Sequence, residues 1–74
     1  MFLREKFAER LRVLRAIKKT RQYDIATLLK VTPSQISDLE NAKTTTTIEK
    51  LWLLADYFDV SIDYLVGRSD EPKK

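Results

Sequence analysis

The chain has 74 residues, 43% of them hydrophobic, and its 14 Lys and Arg against 11 Asp and Glu leave a formal net charge of +3. That length allows one domain, which buries only about 60% of its unfolded surface and is expected to be marginally stable. With no cysteine and no histidine, disulfides, thiolate metal sites and imidazole acid-base chemistry are excluded, and nothing in the composition asks for a metal or a cofactor.

No apolar run approaches the roughly 18 residues of a membrane span. The start MFLREKFAERLR alternates charged with apolar residues, unlike a secretory signal, so a soluble cytoplasmic protein with no membrane partner is expected. Charge is unevenly spread: residues 1 to 30 carry +6 and the remainder −3. A basic half suits a polyanion such as nucleic acid, and it equally suits a solvated helix face.

Phe7, Leu11, Leu14 and Ile17 recur at helical spacing and predict a first helix over 4–18. Phe2 and Leu3 either lengthen that stripe or fray. Lys18, Lys19 and Thr20 break the pattern, with Thr20 read as the N-cap of a second helix that runs to Leu29 and buries Ile25, Ala26 and Leu29. Ala26 is either a close-crossing point for another helix or simply a good helix former.

The bend after Leu29 places Lys30 where a left-handed glycine usually ends a helix. Thr32, Pro33, Ser34 and Gln35 then form a T-x-x-Q capping box with proline at the first helical position, and Val31 can staple onto Ile36. The third helix runs to Glu40, turns Ile36 and Leu39 inward and leaves Ser34, Gln35, Ser37 and Asp38 on its outer faces. Asn41 and Ala42 end it, and Lys43 to Thr47 read as a polar loop whose hydroxyls and amides can also meet phosphates.

Thr46 with Glu49 suggests a second capping box, followed by a fourth helix with Ile48, Leu51, Leu54, Ala55 and Phe58 as its buried stripe. Leu53 and Tyr57 fall off that stripe, with Trp52 beside them, and form a candidate self-association surface. Ser61 caps a short fifth helix, IDYLV, with Asp63 in its first turn, and Gly67 ends it. The domain is expected over 1–67, and RSDEPKK over 68–74 reads as a flexible charged tail.

The order Leu11, Leu14, Gln22, Ala26, Val31, Ile36, Leu39, Glu40, Asn41, with the ending ADYFDVSIDYLVGRSD, resembles the Cro/repressor-type helix-turn-helix family. That family comprises phage repressors, Cro proteins and xenobiotic-response-element-like bacterial regulators, and the resemblance covers Phe7 to Asp70. It implies an all-α, compact five-helix bundle of the lambda-repressor-like DNA-binding type, with the third helix in the major groove and the second lying across it.

The resemblance also implies site roles. Gln22 would hold a phosphate at the start of the second helix, with Arg21, Asn41, Lys43, Thr44 and Thr45 on the same backbone, while Pro33, Ser34, Gln35, Ser37 and Asp38 would face the bases. Glutamine suits adenine, serine suits either kind of base edge, and aspartate can accept from cytosine N4. Departures from the family pattern are Pro33, which has no base-reading side chain, Lys30 in place of the turn glycine, and Arg21 in place of the usual capping serine. Arg21 reads as a phosphate contact or as a solvated arginine.

The implied activity is sequence-specific transcription regulation, most simply repression by a homodimer on a two-fold symmetric operator. The alternative is a protein-interaction module of the same fold, such as an antirepressor, antitoxin or developmental regulator, whose partner is another protein. The acidic second half and the poverty of strong base readers favour that alternative. An enzyme is not expected, because Asp38 and Glu40 stand two apart on a helix and do not face each other.

Overall fold

The computed structural model describes residues 4–73, so the expectation for Phe2 and Leu3 lies outside the described residues. Five helices follow in order: α1 Arg4–Lys18, α2 Gln22–Leu29, α3 Pro33–Glu40, α4 Ile48–Phe58 and α5 Ile62–Leu65. α3 packs on α1 and α2, α4 on α2 and α5, and α5 closes back onto α1. Phe7, Leu11, Ile25, Ile36, Leu54, Phe58 and Leu65 are the largest fully buried side chains, so every helix contributes to one core. Each contributes roughly 1.5–3 kcal/mol by leaving water, against the ordering cost of the chain. No helix among the described residues is long and apolar enough to cross a membrane.

Two apolar stripes end sooner than their spacing predicts. Ile17 is 66% exposed, because the buried stripe of α1 stops at Leu14, while Arg15 turns to α3 and Thr20 is buried beyond it. Ile48, the first residue of α4, is 65% exposed where the helix emerges from an exposed threonine loop.

The best-specified helix start is that of α3. Thr32 Oγ1 accepts from the Gln35 backbone N–H at 3.2 Å, and Gln35 Oε1 accepts from the Thr32 backbone N–H at 2.9 Å, with Pro33 at the first position. Two other starts lie one residue later than read. Arg21, not Thr20, is the N-cap of α2; its backbone N–H donates to Asp24 Oδ2 at 3.0 Å, the only half of a capping box open to a side chain without an acceptor. Thr20 is buried and its carbonyl accepts from Arg15 Nη1 at 3.0 Å, which takes it out of the cap position. At α4 the cap is Thr47, whose hydroxyl accepts from the Lys50 N–H at 3.3 Å, so the expected pairing of Thr46 with Glu49 does not form.

All five helices close alike, with a left-handed residue followed by an N–H that reaches back five residues. The left-handed residues are Lys19, Lys30, Ala42, Asp59 and Gly67. The closing bonds are Thr20 to Arg15, Val31 to Ala26, Lys43 to Asp38, Val60 to Ala55 and Arg68 to Asp63, each 2.8–3.0 Å. Only at Gly67 is the residue glycine, and there the conformation is reinforced by crowding. A Cβ on Gly67 would fall 2.1 Å from Lys6 Cγ.

Ser69, Asp70 and Pro72, beyond α5, each contact the body of the protein. Arg10, buried on α1 at the same stripe as Phe7 and Leu14, donates through Nη1 to the carbonyls of Tyr64 at 2.9 Å and Ser69 at 3.1 Å. Its Nη2 meets Asp70 Oδ1 at 2.7 Å, and the guanidinium lies over the Tyr64 ring at 4.0 Å. The Ser61 N–H donates to the Pro72 carbonyl at 3.0 Å. Ser69, Asp70 and Pro72 thus make contacts with the body of the protein from within the charged 68–74 segment.

Candidate nucleic-acid interface

The outward face of α3 is set by a polar junction behind its C-terminal end. Glu40, its side chain 5% exposed, receives Arg15 Nε at 2.6 Å and Nη2 at 3.1 Å, so two parallel bonds tie α1 to α3. Gln22 Nε2, from the first turn of α2, donates to Glu40 Oε1 at 2.9 Å. One carboxylate therefore joins three helices and leaves no buried polar side-chain atom unpaired among the described residues. Since interior packing admits few alternative arrangements, this junction fixes the angle at which α3 presents its other face.

On that other face Pro33, Ser34 and Gln35 are exposed and Ser37 and Asp38 half-buried, so the five residues read as base-facing do share one accessible surface. Their hydrogen-bonding capacity differs. Gln35 gives its carbonyl to the capping box and keeps its amide N–H groups. The Ser37 hydroxyl accepts from Asn41 Nδ2 at 3.3 Å, and the Ser37 carbonyl accepts from the same nitrogen at 2.8 Å. Ser34 is exposed, and no arginine or lysine stands on α3 itself.

Cations and hydrogen-bond donors instead flank the helix. On one side, exposed Arg21 stands at the start of α2, where the first backbone N–H groups have no intrahelical carbonyl to reach and the helix dipole favours an anion. On the other, Thr44 to Thr47 and Lys50 line an open groove together with Gln35 and Asp38. Lys43 is exposed at the head of that loop, and its carbonyl accepts from Arg4 Nη1 at 3.2 Å. Gln22 is partly withdrawn, with one amide hydrogen given to Glu40 and the other N–H and the carbonyl left for a further partner.

Residues absent from the sequence reading of the site are Arg4, Arg15 and Lys50. Arg15 and the role of Glu40 had a signal. Glu40 continues the Ile36 and Leu39 stripe and Arg15 adjoins the Leu11 and Leu14 stripe, and a charge of each sign on two apolar stripes points to a buried pair. Lys50 and Arg4 are brought to the loop by the chain path, for which no local pattern speaks.

A second surface lies on α4. Ile48, Trp52, Leu53 and Tyr57 are all exposed, with Trp52 at 62%, and Ile48, Glu49, Trp52 and Leu53 line a shallow apolar groove. Tyr57 is braced edge-to-face on buried Phe58, ring centres 5.1 Å apart.

This arrangement of two helices at a tight bend, with a braced, outward polar helix, recurs among known proteins. The family model described as helix-turn-helix matches residues 11–65. An uncharacterised HTH-type transcriptional regulator, YobD of Bacillus subtilis (strain 168), is 32% identical over 66 residues, covering 89% of this chain and 59% of its own. A transcriptional regulator from Listeria innocua superposes with a TM-score of 0.80 at 41% identity, covering 82% of this chain and 57% of its own. The P22 c2 repressor, solved in complex with a synthetic operator, gives 0.77 at 30% identity, over 85% of this chain and 96% of its own. The chain thus spans somewhat under three fifths of the YobD and Listeria regulators and nearly all of the repressor structure. By residues and by fold, the chain belongs to the Cro/repressor-type helix-turn-helix family of transcription regulators.

Proposed function

We propose that the chain binds duplex DNA sequence-specifically as a transcription regulator in the cytoplasm, with α3 in the major groove of a two-fold symmetric operator and a second copy on the other half-site. The observation that carries this reading is the exposed polar face of α3, held by the Arg15–Glu40–Gln22 junction and flanked by backbone-seeking groups on both sides. Arg21, Gln22, Asn41, Lys43, Thr44 and Thr45 would hold phosphates and set register; Pro33, Ser34, Gln35, Ser37 and Asp38 would meet the bases. Repression by occlusion of polymerase is the simplest outcome. Trp52, Leu53 and Tyr57, exposed together on α4, would form the contact between copies on the two half-sites.

A second reading has a specific observation behind it. α3 carries no cation and, on its outward face, one carboxylate, Asp38, while exposed apolar side chains gather on α4, as in a module that binds another protein. Gel-shift titration against a randomised duplex pool at low and moderate salt separates the two. Binding that weakens steeply with salt supports DNA recognition, and no binding at low salt supports the protein-partner reading.

A further inference from the structure

Gln35 serves the fold and the surface with different atoms. Its Oε1 accepts from the Thr32 backbone N–H at 2.9 Å and lies 3.4 Å from the Thr32 hydroxyl, so both lone pairs of that oxygen face Thr32. The amide orientation is forced, since an NH2 group in that place could not accept from the Thr32 N–H. What Gln35 offers outward is therefore Nε2 alone, a donor with two hydrogens. A glutamine pairs with adenine in the major groove by accepting from N6 and donating to N7 together, and here the accepting half is already engaged.

One turn further along α3, Asp38 supplies the missing polarity. Its carboxylate only accepts, forms no hydrogen bond or ion pair among the described residues, and lines the same groove as Gln35. Facing a phosphate it would be repelled; facing an exocyclic amino group it is matched. Guanine is the base whose major-groove edge presents two acceptors, N7 and O6, for the two hydrogens of Gln35 Nε2. Cytosine presents an amino group without the N7 acceptor that adenine would set against a second carboxylate oxygen.

We propose that Gln35 reads the operator only as a donor and Asp38 only as an acceptor, so that each half-site presents a guanine to Gln35 and a cytosine amino group to Asp38, and Gln35 does not recognise adenine. This rests on the DNA-binding reading above. The donor and acceptor that one free glutamine would combine are divided between two side chains by the capping box.

The test is selection from a randomised duplex pool with the wild-type chain, Gln35→Glu and Asp38→Asn. Gln35→Glu preserves the box, because Thr-x-x-Glu caps equally well, but replaces the donor by an acceptor. Wild type should enrich guanine at one position and cytosine at another. Gln35→Glu should lose the guanine preference by roughly 5- to 150-fold and turn to a base bearing an amino group, and Asp38→Asn should relax the cytosine position alone. Enrichment of adenine by wild type at the position that Gln35→Glu alters, with weaker binding when purine lacking N6 replaces it, overturns the inference and leaves DNA binding intact. Unchanged preferences in both variants overturn it too. If no duplex is enriched at low salt, the DNA-binding reading fails and the inference falls with it.

Discussion

Arg15 and Glu40, 25 positions apart, are joined by two parallel bonds of 2.6 and 3.1 Å that lock the middle of the fold to the end of its outward helix. Glu40 also accepts from Gln22, so removal of its carboxylate strands an arginine, three-quarters buried, and an amide. Glu40→Ala should therefore lower stability by about 3 kcal/mol, the lower end for a broken buried pair because Arg15 keeps some access to water. For a domain of this size that is a large share of the total. Urea unfolding monitored by circular dichroism measures it, and a change under about 0.5 kcal/mol would show that the junction does not hold the fold.

Ala42 lies in the left-handed region with φ 60° at the end of α3, where its Cβ is crowded by the following carbonyl. Ala42→Gly should stabilise by about 0.5–1 kcal/mol, the relief of strain exceeding the added freedom of the unfolded chain. The melting temperature should rise by a few degrees, on the scale of roughly 4–8 °C per kcal/mol for so short a chain. A fall would mean that the unfolded-state term dominates at this turn.

The opposite sign is expected at Gly67. With φ 85° and Lys6 Cγ 2.1 Å from where a Cβ would stand, Gly67→Ala combines backbone strain with overlap between the end of α5 and α1. A loss of about 2 kcal/mol is expected from strain and overpacking together. Thermal melting of Gly67→Ala beside Ala42→Gly provides the contrast, and equal shifts for the two would contradict the account of both turns.

Lys43 and Gln22 are expected to contribute to affinity without choosing a sequence. Lys43→Ala should weaken all duplexes alike and reduce the slope of log affinity against log salt by about 1, whereas Gln22→Ala should weaken binding with little change of slope, since glutamine carries no charge. Fluorescence anisotropy on a selected and a scrambled duplex tells them apart. A selective loss on one duplex would move either residue from the backbone to the bases.

Trp52, Leu53 and Tyr57 are expected to hold two copies together. Leu53→Asp should abolish cooperative occupancy of paired half-sites while leaving the circular dichroism spectrum unchanged, because Leu53 is not part of the core. Sedimentation of the wild type and the variant, free and on DNA, reads this directly; identical behaviour would place the contact elsewhere.

What the chain discloses in its order of residues follows the range of the interaction. The Thr32–Gln35 box and the left-handed Lys30 were legible because a cap involves neighbours three or four residues apart, and the core stripes because helical spacing records burial. Local pattern alone sets the caps of α2 and α4 one residue early, since Thr20 is drawn inward by Arg15 and Thr46 is bypassed by an equally competent neighbour; only the family resemblance puts Arg21 in the capping position. Arg15 with Glu40 and Arg10 with Asp70 lie 25 and 60 residues apart, and only the assembled fold brings them within reach. The outward residues of α3 are readable as a face, but the division between a donating Gln35 and an accepting Asp38 depends on the capping box engaging the amide oxygen of Gln35 and leaving its nitrogen outward.

Whether α3 reads a DNA sequence is decided by the affinity of the chain for a duplex selected from a random pool, against a scrambled duplex, from low to moderate salt. A selected site with two-fold symmetry, preferred by at least about 10³-fold, and an affinity for both duplexes that falls steeply as salt rises are expected of a sequence-specific DNA-binding chain. Equal affinity for the two duplexes, or an affinity indifferent to salt, would contradict sequence-specific DNA binding.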